Sequence, residues 1–408
     1  MSSNSKVIYS EVENNGMGYY GLLGLMGLFL LAGIIAFFTM EHHGHYISGM
    51  NNEIVWGLPH IFAIFLIVAA SGALNIGSIG TVFGKHAYQP LGRLSALLAI
   101  ALLVGGLLIL LLDLARLDHV IKMIDGLHLN FKSIFAWNMI LYTGFLVLVG
   151  LYIWAMMDRS KLAKKFYKTI GVSAFTWRLI LTTGTGSIFG FLVARQAFDA
   201  AILAPLFIVL SFSVGMAIFV LVLMASYKWT NRELGDFVLN KLRYMLAVFI
   251  LGALLLEVTR HVTNLYATEH HGVESFILGG GNIYSSLFWY GFILLGTLTP
   301  LALIFCKKLK NNRAALFVAA ALTTIGGFCL IYVIVIGGQA YPLELFPNAV
   351  TSSVYSDGII NPYSPSIWEI LLGLFGVALT LAIVTVGVKV LRFLPASLAD
   401  SVVDAHAK

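Results

Sequence analysis

The sequence predicts an all-α, polytopic membrane protein with about ten transmembrane helices, arranged as two four-helix bundles plus two flanking helices. Of its 408 residues, 59% are hydrophobic and only 11% are charged, and the mean hydropathy is +0.90. Apolar runs of about 20 residues recur along the chain, and each is long enough to cross a hydrocarbon layer of about 30 Å. A bilayer accepts such runs as helices, because a helix satisfies its own backbone hydrogen-bonding groups.

Ten apolar runs define the predicted helices. They lie at 18–40, 56–83, 92–114, 133–157, 173–194, 202–227, 242–265, 283–305, 314–336 and 367–391. Spans two to five and spans six to nine would form two bundles that enter the membrane in the same sense. The chain then divides into an N-terminal part with the first span, two bundles and a C-terminal part with the last span, at 1–50, 51–201, 202–340 and 341–408.

The basic residues indicate how these spans are oriented. All but five of the 25 Lys and Arg residues fall on the side that holds both chain termini. The five on the other side are Arg116, Lys122, Lys132, Arg195 and Arg260. The positive-inside rule therefore predicts cytoplasmic termini and an inner (cytoplasmic) membrane location. The formal charge of +6 is explained by these loops, so we expect no nucleic acid partner.

Cysteine and histidine usage limits the cofactors. Only two cysteines are present, whereas an iron–sulfur cluster needs about four Cys ligands, so we expect no cluster held by this chain alone. The tracts Glu41–Tyr46 and Glu269–Gly272 lie in predicted outer loops, where their histidines are either solvated or bind metal. Because no spaced partner completes a tetrahedral site, we predict no metal. No two histidines match in depth within the bilayer, which argues against haem b.

One end of the first predicted bundle collects ionisable side chains. His60 follows Pro59 near the start of the second span, Glu53 precedes it, and Asp113 and Arg116 close the third span. Asp113 and Arg116 have the three-residue spacing of a helical ion pair. Ionisable groups at such depths are usually functional, and a carboxylate and an imidazole can accept and release protons. We therefore predict His60 and Asp113 as catalytic residues, with Arg116 and Glu53 beside them.

The fifth span contains the segment TTGTGSIFG, from Thr182 to Gly190. Because it lies inside an apolar helix and not after a strand, a phosphate-binding loop is disfavoured. Gly186 and Gly190 form a GxxxG pair, which predicts close helix packing. Thr182 and Thr185 could offer hydroxyl groups to a ligand in the bundle.

The seventh span ends in LLLEVTRH, where Glu257 and Arg260 repeat the three-residue spacing and His261 follows. One interpretation is a structural ion pair that locks the second bundle. The other is a second site or part of a proton path.

Four segments together resemble a known family. They are, in chain order, NNEIVWGLPHIFAIFLIVAASGALN, LLLDLARLDH, NFKSIFAWNMILYTGF and GSIFGFLVARQAFDAAILAPLF. The resemblance is to the NrfD/PsrC (polysulfide reductase) family of membrane subunits, over about residues 51–395. Within this family it is nearest to the DsrP branch, from the DsrMKJOP complexes of dissimilatory sulfur metabolism.

This resemblance implies two four-helix bundles and a function in quinone chemistry. Family members exchange electrons between a quinone, bound near the extracytoplasmic face of the first bundle, and an iron–sulfur partner docked outside. The implied substrate is menaquinone or ubiquinone. The implied partners are a ferredoxin-like iron–sulfur subunit, cytochrome c and other membrane subunits.

The resemblance also points to particular positions. The quinone-contacting Asn and His of polysulfide reductase fall on His60 and Ala63, and the family tyrosine of the fifth span falls near Thr182 to Gly184. This sequence departs from the family at all three, so its quinone ligands must differ, and His60 and Asp113 are the expected substitutes.

We therefore predict a quinone-interacting membrane subunit of a respiratory or sulfur-metabolism electron-transfer complex. The alternative is a secondary transporter or a proton-translocating membrane subunit without a quinone site. A transporter would place polar groups and broken helices at mid-membrane, whereas the polar groups of this sequence are expected at the outer ends of the spans.

Overall fold

The computed structural model describes residues 7–12, 16–114, 129–342 and 358–403. Within these residues, ten long helices follow one another along the chain. They are α1 (Met17–His43), α2 (Leu58–Thr81), α3 (Gly92–Leu112), α4 (Ile134–Met157), α5 (Lys161–Gly190), α6 (Leu203–Trp229), α7 (Asp236–Tyr266), α8 (Ile283–Phe305), α9 (Arg313–Ala340) and α10 (Ile367–Val390). α8 and α9 include π-helical stretches, at Leu287–Leu298 and Val333–Gly337.

Nine of these helices, all except α5, are long and apolar enough to cross a membrane, counting only the described parts of the chain. α5 has 30 residues, but its first turns are rich in lysine and its last turns contain threonine and glycine. It nevertheless packs against α2, α4 and α6 in the position of the predicted fifth span. The prediction of an all-α, polytopic membrane protein is confirmed.

The helices form two rings of four. In the first ring, α2 packs against α3 and α5, and α4 contacts both α3 and α5. In the second, α6 contacts α7 and α9, and α8 lies between those two. α2 is central, with 89% of its most apolar stretch buried, whereas α1 is peripheral at 17%. α10 packs on α2 and α3, and α1 packs mainly on α10, so these are the two flanking helices of the predicted arrangement.

Close backbone contacts join the two rings. Gly72 of α2 faces Gly215 of α6, and a Cβ atom at either position would overlap the backbone of the other helix. The close packing predicted for the GxxxG pair is also observed, since a Cβ at Gly186 would lie 2.6 Å from the carbonyl oxygen of Leu203 at the start of α6. In lipid, where apolar burial gives helices little reason to associate, such contacts supply much of the attraction.

Described segments near the two chain termini meet at one end of the bundle. β1 (Tyr9–Ser10) pairs antiparallel with β2 (Leu394–Pro395). Arg232, just after α6, donates hydrogen bonds to backbone carbonyl oxygens of both terminal segments. We call this the terminal end. The opposite end, where α2 begins and α3 ends, is called the Asp113 end.

Candidate functional site

The Asp113 end brings the start of α2 beside the end of α3. Gly57 caps α2 in an extended conformation, and Pro59 occupies the first turn, where a missing N–H removes no helical hydrogen bond. His60 follows in the same turn. Asp113 is the C-terminal cap of α3, and only 6% of it is exposed.

Two histidines surround the Asp113 carboxylate. Its Oδ2 lies 2.9 Å from Nδ1 of His60, and its Oδ1 lies 3.7 Å from Nε2 of His45. The same His45 nitrogen donates a hydrogen bond of 2.9 Å to the backbone carbonyl of Asp113. A carboxylate at a helix C-terminus meets the negative end of the helix dipole, so these two imidazoles are needed to offset its charge.

The pairing leaves hydrogen-bonding capacity unused. Both carboxylate oxygens of Asp113 and Nδ1 of His60 are buried, yet none has a partner in hydrogen-bonding geometry among the described residues. The 2.9 Å contact between them is therefore an ion-pair distance without good hydrogen-bond angles. A buried carboxylate without a donor is destabilising. A ligand hydroxyl brought against Asp113 would donate the missing hydrogen bond, so the site suits a ligand with hydroxyl groups.

Comparison with known proteins assigns the family. The model of the family "Polysulphide reductase, NrfD" matches residues 47–342, which include every helix of both rings. The chain belongs to the NrfD family. The sequence resemblance to NrfD/PsrC is thereby confirmed, whereas placement in the DsrP branch stays a prediction.

Three relatives align with this NrfD protein along most of its length, each at 24% identity. One is an Hdr-like menaquinol oxidoreductase integral membrane subunit of Archaeoglobus fulgidus, with 98% of this chain and 99% of that protein covered. The second is a selenate reductase subunit of Mesobacillus selenatarsenatis, with 89% of this chain and 92% of that protein covered. The third is a putative dimethyl sulfoxide reductase membrane subunit of Halobacterium salinarum, with 92% of this chain and 91% of that protein covered.

His45 is the member of the site that sequence reasoning missed. Its tract, Glu41–Tyr46, suggested solvated or metal-binding histidines, and His42 and His43 are indeed exposed. His45 instead turns inward, because the chain bends at Gly44, whose φ is +84°. Among the described residues, no three His, Cys, Asp or Glu side chains are placed to share a metal ion.

The His45 contact makes this end of the NrfD protein sensitive to pH. The Asp113 carboxylate, 3.7 Å away, raises the pKa of His45 above its ordinary value of 6.5, against the opposing effect of burial. The pairing therefore stabilises the fold fully below pH 6.5 and is lost as the pH rises through the raised pKa. We expect His45→Gln to lower the unfolding temperature more in acidic than in alkaline buffer, measured by thermal scans in detergent.

His43→Gln is the matched control for this experiment. His43 is exposed, and its ring contacts the carbonyl of Thr39 in its own helix. Its replacement should change the unfolding temperature little, and equally at every pH. An effect of His45→Gln that did not vary with pH would show that His45 binds Asp113 only as a neutral group.

Glu53 lies in a contact that holds the approach to α2. Arg195 lies 3.6 Å from the Glu53 carboxylate and donates hydrogen bonds to the carbonyls of Glu53 and Gln339, at 2.9 and 2.8 Å. The Gln339 side chain in turn exchanges hydrogen bonds with the backbone of Trp56. The described contacts of Glu53 are thus structural, and its place among the ligands of the site stays a prediction.

The remaining predicted ligands are Thr182, Thr185 and Arg116. Both threonines are fully buried, and their hydroxyls donate to helix carbonyls of Arg178 and Leu181, at 2.9 and 3.0 Å. A hydroxyl oxygen so engaged can still accept a hydrogen bond, and their role stays a prediction. Arg116 lies outside the described residues.

The end of α7 holds a second buried cluster. Arg260 donates to both carboxylate oxygens of Glu257, at 2.6 and 3.1 Å, as its spacing predicted. His261 lies between two carboxylates, 3.1 Å from Glu257 and 2.6 Å from Glu274, and Asn264 donates to Glu274 at 2.8 Å. Sequence reasoning missed Glu274, which reaches the cluster only because the chain folds back after α7.

A hydrogen-bond chain from α10 positions the start of α2. The fully buried Glu369 accepts hydrogen bonds from the hydroxyl of Tyr363, at 2.6 Å, and from the backbone of Gly49, at 2.7 Å. The Tyr363 oxygen accepts from the backbone N–H of Leu58, also at 2.6 Å. Burial, aided by Glu369, raises the pKa of Tyr363, so its hydroxyl stays protonated. This series of hydrogen bonds ends at Leu58, two residues before His60, and so helps to position the His60 imidazole.

Arg178 corrects one expectation from the sequence. It is counted with the basic residues of the cytoplasmic side and falls in the predicted fifth span, and the structure places it inside α5, fully buried. It donates to the side-chain oxygen of Asn75, at 2.9 Å, and lies 4.8 and 4.7 Å from the rings of Phe175 and Phe212. No described carboxylate pairs with it. Polar groups are therefore not confined to the ends of the spans.

Proposed function

We propose that this NrfD protein is the quinone-interacting membrane subunit of an electron-transfer complex, with the quinone head group bound beside Asp113 and His60. The observation that carries this proposal is the buried Asp113 carboxylate, whose oxygens receive no hydrogen bond from the part of the chain that the structure describes, although two histidines flank it. Quinol oxidation releases protons together with electrons, and it needs a base within hydrogen-bond reach.

The residues of the site have distinct roles in this proposal. Asp113 accepts a hydrogen bond from a quinol hydroxyl and then takes its proton. His60 and His45 contact Asp113, and 21% and 27% of their side chains are exposed. Either imidazole can therefore relay the proton from the buried carboxylate to water, because an imidazole can both accept and release a proton.

The comparisons support the substrate and the kind of partner. The relative from Archaeoglobus fulgidus is named a menaquinol oxidoreductase subunit, which favours menaquinone over ubiquinone as the exchangeable substrate. The other two relatives are named as subunits of reductases. We propose an extracytoplasmic, ferredoxin-like iron–sulfur subunit as the electron partner, with cytochrome c and other membrane subunits in the same complex.

The proposed orientation places the Asp113 end outside the cytoplasmic membrane. The distribution of charge supports this orientation. Most of the Lys and Arg residues lie at the terminal end, where segments near the N- and C-termini pair. The positive-inside rule puts that end in the cytoplasm.

One observation favours the alternative function of a transporter or proton-translocating subunit. Arg178 and Asn75 are polar groups inside the helix bundle, as a transport path would require. Two aromatic rings enclose Arg178 and it has no exposed surface. It therefore lines no open path, and the quinone function accounts better for the site at Asp113.

Photoaffinity labelling tests the proposed function. The purified protein is irradiated under reducing conditions, which keep a photoreactive menaquinone analogue and its competitor in the quinol form, and the labelled peptides are identified by mass spectrometry. We expect labels near His45 to His60 and at the end of α3, and a several-fold loss of label when excess unmodified menaquinone competes. The experiment needs no partner subunit and reports binding directly.

The labelling experiment has a matched pair of variants. Asp113→Asn should reduce labelling, whereas Asp199→Asn, at an exposed carboxylate of the same end, should not. Label that stays in place despite excess menaquinone would contradict a quinone function. Competed label found only in the second ring would instead contradict the proposed site.

A further inference from the structure

A groove of about 740 Å³ lies between the end of α6 and the start of α9, at the terminal end. This is the end opposite the Asp113 site, and no feature of the proposed function uses it. Its lining falls into an apolar group and a basic group. The apolar side chains include those of Met224, Ala225, Trp229, Phe317 and Val318, and the basic ones are Lys228, Arg232 and Arg313.

The apolar part of the groove lies where acyl chains would be. Phe317 and Val318 are in the second turn of α9 and are exposed, although α9 is a membrane-spanning helix by length and composition. Trp229, the last residue of α6, is also exposed. Tryptophan is enriched at the level of lipid head groups, so the groove runs from the membrane interface into the hydrocarbon layer.

The basic part of the groove carries positive charge that the described carboxylates do not fully neutralise. Arg313 pairs with Asp236 at 2.8 Å. Arg232 donates to backbone carbonyls, such as those of Ser10 and Glu11, and these neutral acceptors do not compensate its positive charge; no carboxylate of the described ranges pairs with it. Lys228 is exposed, and within the described residues no carboxylate lies at ion-pair distance from it. Counting only carboxylates of the described residues, two unpaired cationic charges therefore lie beside the apolar part of the groove.

We propose that this groove binds one anionic phospholipid of the surrounding bilayer. Its phosphate would lie between Lys228 and Arg232, and its acyl chains would run along Phe317 and Val318. Basic pockets between transmembrane helices on the cytoplasmic side are suited to anionic head groups, and the apolar lining favours a lipid over a free anion. Because Arg232 also holds both chain termini, the lipid would brace the terminal end.

Lipid retention tests this proposal. The protein is reconstituted in nanodiscs with equal amounts of phosphatidylglycerol and phosphatidylcholine, then extracted, and bound lipid is counted by native mass spectrometry. We expect about one tightly bound phosphatidylglycerol per chain. Lys228→Gln should reduce its retention several-fold. Ala225→Trp should do the same without changing charge, by filling the apolar part of the groove.

Lys168→Gln is the matched control, since Lys168 is exposed at the same end but does not line the groove. It should retain the lipid as the unmodified protein does, and thermal scans verify that every variant is folded. Equal retention of the two phospholipids, or equal loss in the Lys168 and Lys228 variants, would overturn the proposal. So would displacement of the lipid by millimolar inorganic phosphate, which would identify a simple anion site.

Discussion

Asp113→Asn should slow quinol oxidation by about a hundred-fold or more, the usual effect of losing a positioned general base. Asparagine keeps the size and shape of aspartate but can neither accept a proton nor carry the negative charge. The two imidazoles would then face a neutral amide. His60 cannot replace the carboxylate fully, because its Nδ1 already faces Asp113 at 2.9 Å.

The measurement uses the complex purified with its partner subunits. A menaquinol analogue is added, and reduction of the redox centre in the partner is followed by stopped-flow absorbance. The rate at saturating quinol should fall in Asp113→Asn far more than the apparent affinity changes, since the carboxylate acts on the proton that is transferred. His60→Gln should give a smaller loss, because His45 offers a second route for the proton.

Asp199→Asn serves again as the control and should keep the rate of the unmodified complex. Asp113→Glu should recover part of the activity, because it restores the base at a slightly different position. An Asp113→Asn complex that oxidises quinol at near-normal rate, with its fold intact, would show that this carboxylate is not the proton acceptor.

The largest loss of stability should come from Glu257→Gln. Glu257 and Arg260 are both essentially without exposed surface, and two hydrogen bonds join them. Removing the carboxylate charge leaves a buried guanidinium without its main partner. Breaking a buried ion pair in this way destabilises a fold by about 3–5 kcal/mol. We expect the free energy of unfolding in mixed micelles to fall by about that amount.

Replacing both partners should restore much of the lost stability. In the Glu257→Gln/Arg260→Met variant no charge of the pair is left unbalanced, and Glu274 and His261 can still pair with each other at 2.6 Å. Exchanges of a whole buried pair for uncharged residues are often close to neutral. A double-mutant cycle of unfolding free energies measures this coupling directly.

The exposed pair of Asp236 and Arg313 provides the comparison. Their nitrogen–oxygen distance is 2.8 Å, close to that of the buried pair, but about half of each side chain is exposed. Asp236→Asn should therefore change the unfolding free energy by less than about 1 kcal/mol. Similar effects at the two pairs would contradict the view that burial makes the α7 cluster important for stability.

Hydropathy located most of the helices because a bilayer imposes a simple rule of length and composition. The fifth helix shows where that rule weakens. α5 begins at Lys161 and contains Arg178, and its apolar character falls below that of the other nine helices within the described residues. It remains in the bundle because α2, α4 and α6 surround it.

His60 and Asp113 could be proposed from the sequence because each is ionisable and stands at the end of an apolar run. His45, Glu274 and Tyr363 could not, since each comes from a connecting segment whose direction the local sequence does not determine. Arg178 falls inside the predicted fifth span, but its burial could not be predicted, since the rings and the amide that enclose it come partly from other helices.

The sequence by itself determined the all-helical, membrane-spanning architecture and the number of chain reversals. It also determined which end of the bundle carries ionisable groups. These features depend on patterns that are local along the chain. Only the tertiary structure decided which of those groups meet. An ion pair requires atoms to approach within about 4 Å. His45, His60 and Asp113 reach that distance because α2 packs on α3 while the turn at Gly44 directs His45 inward.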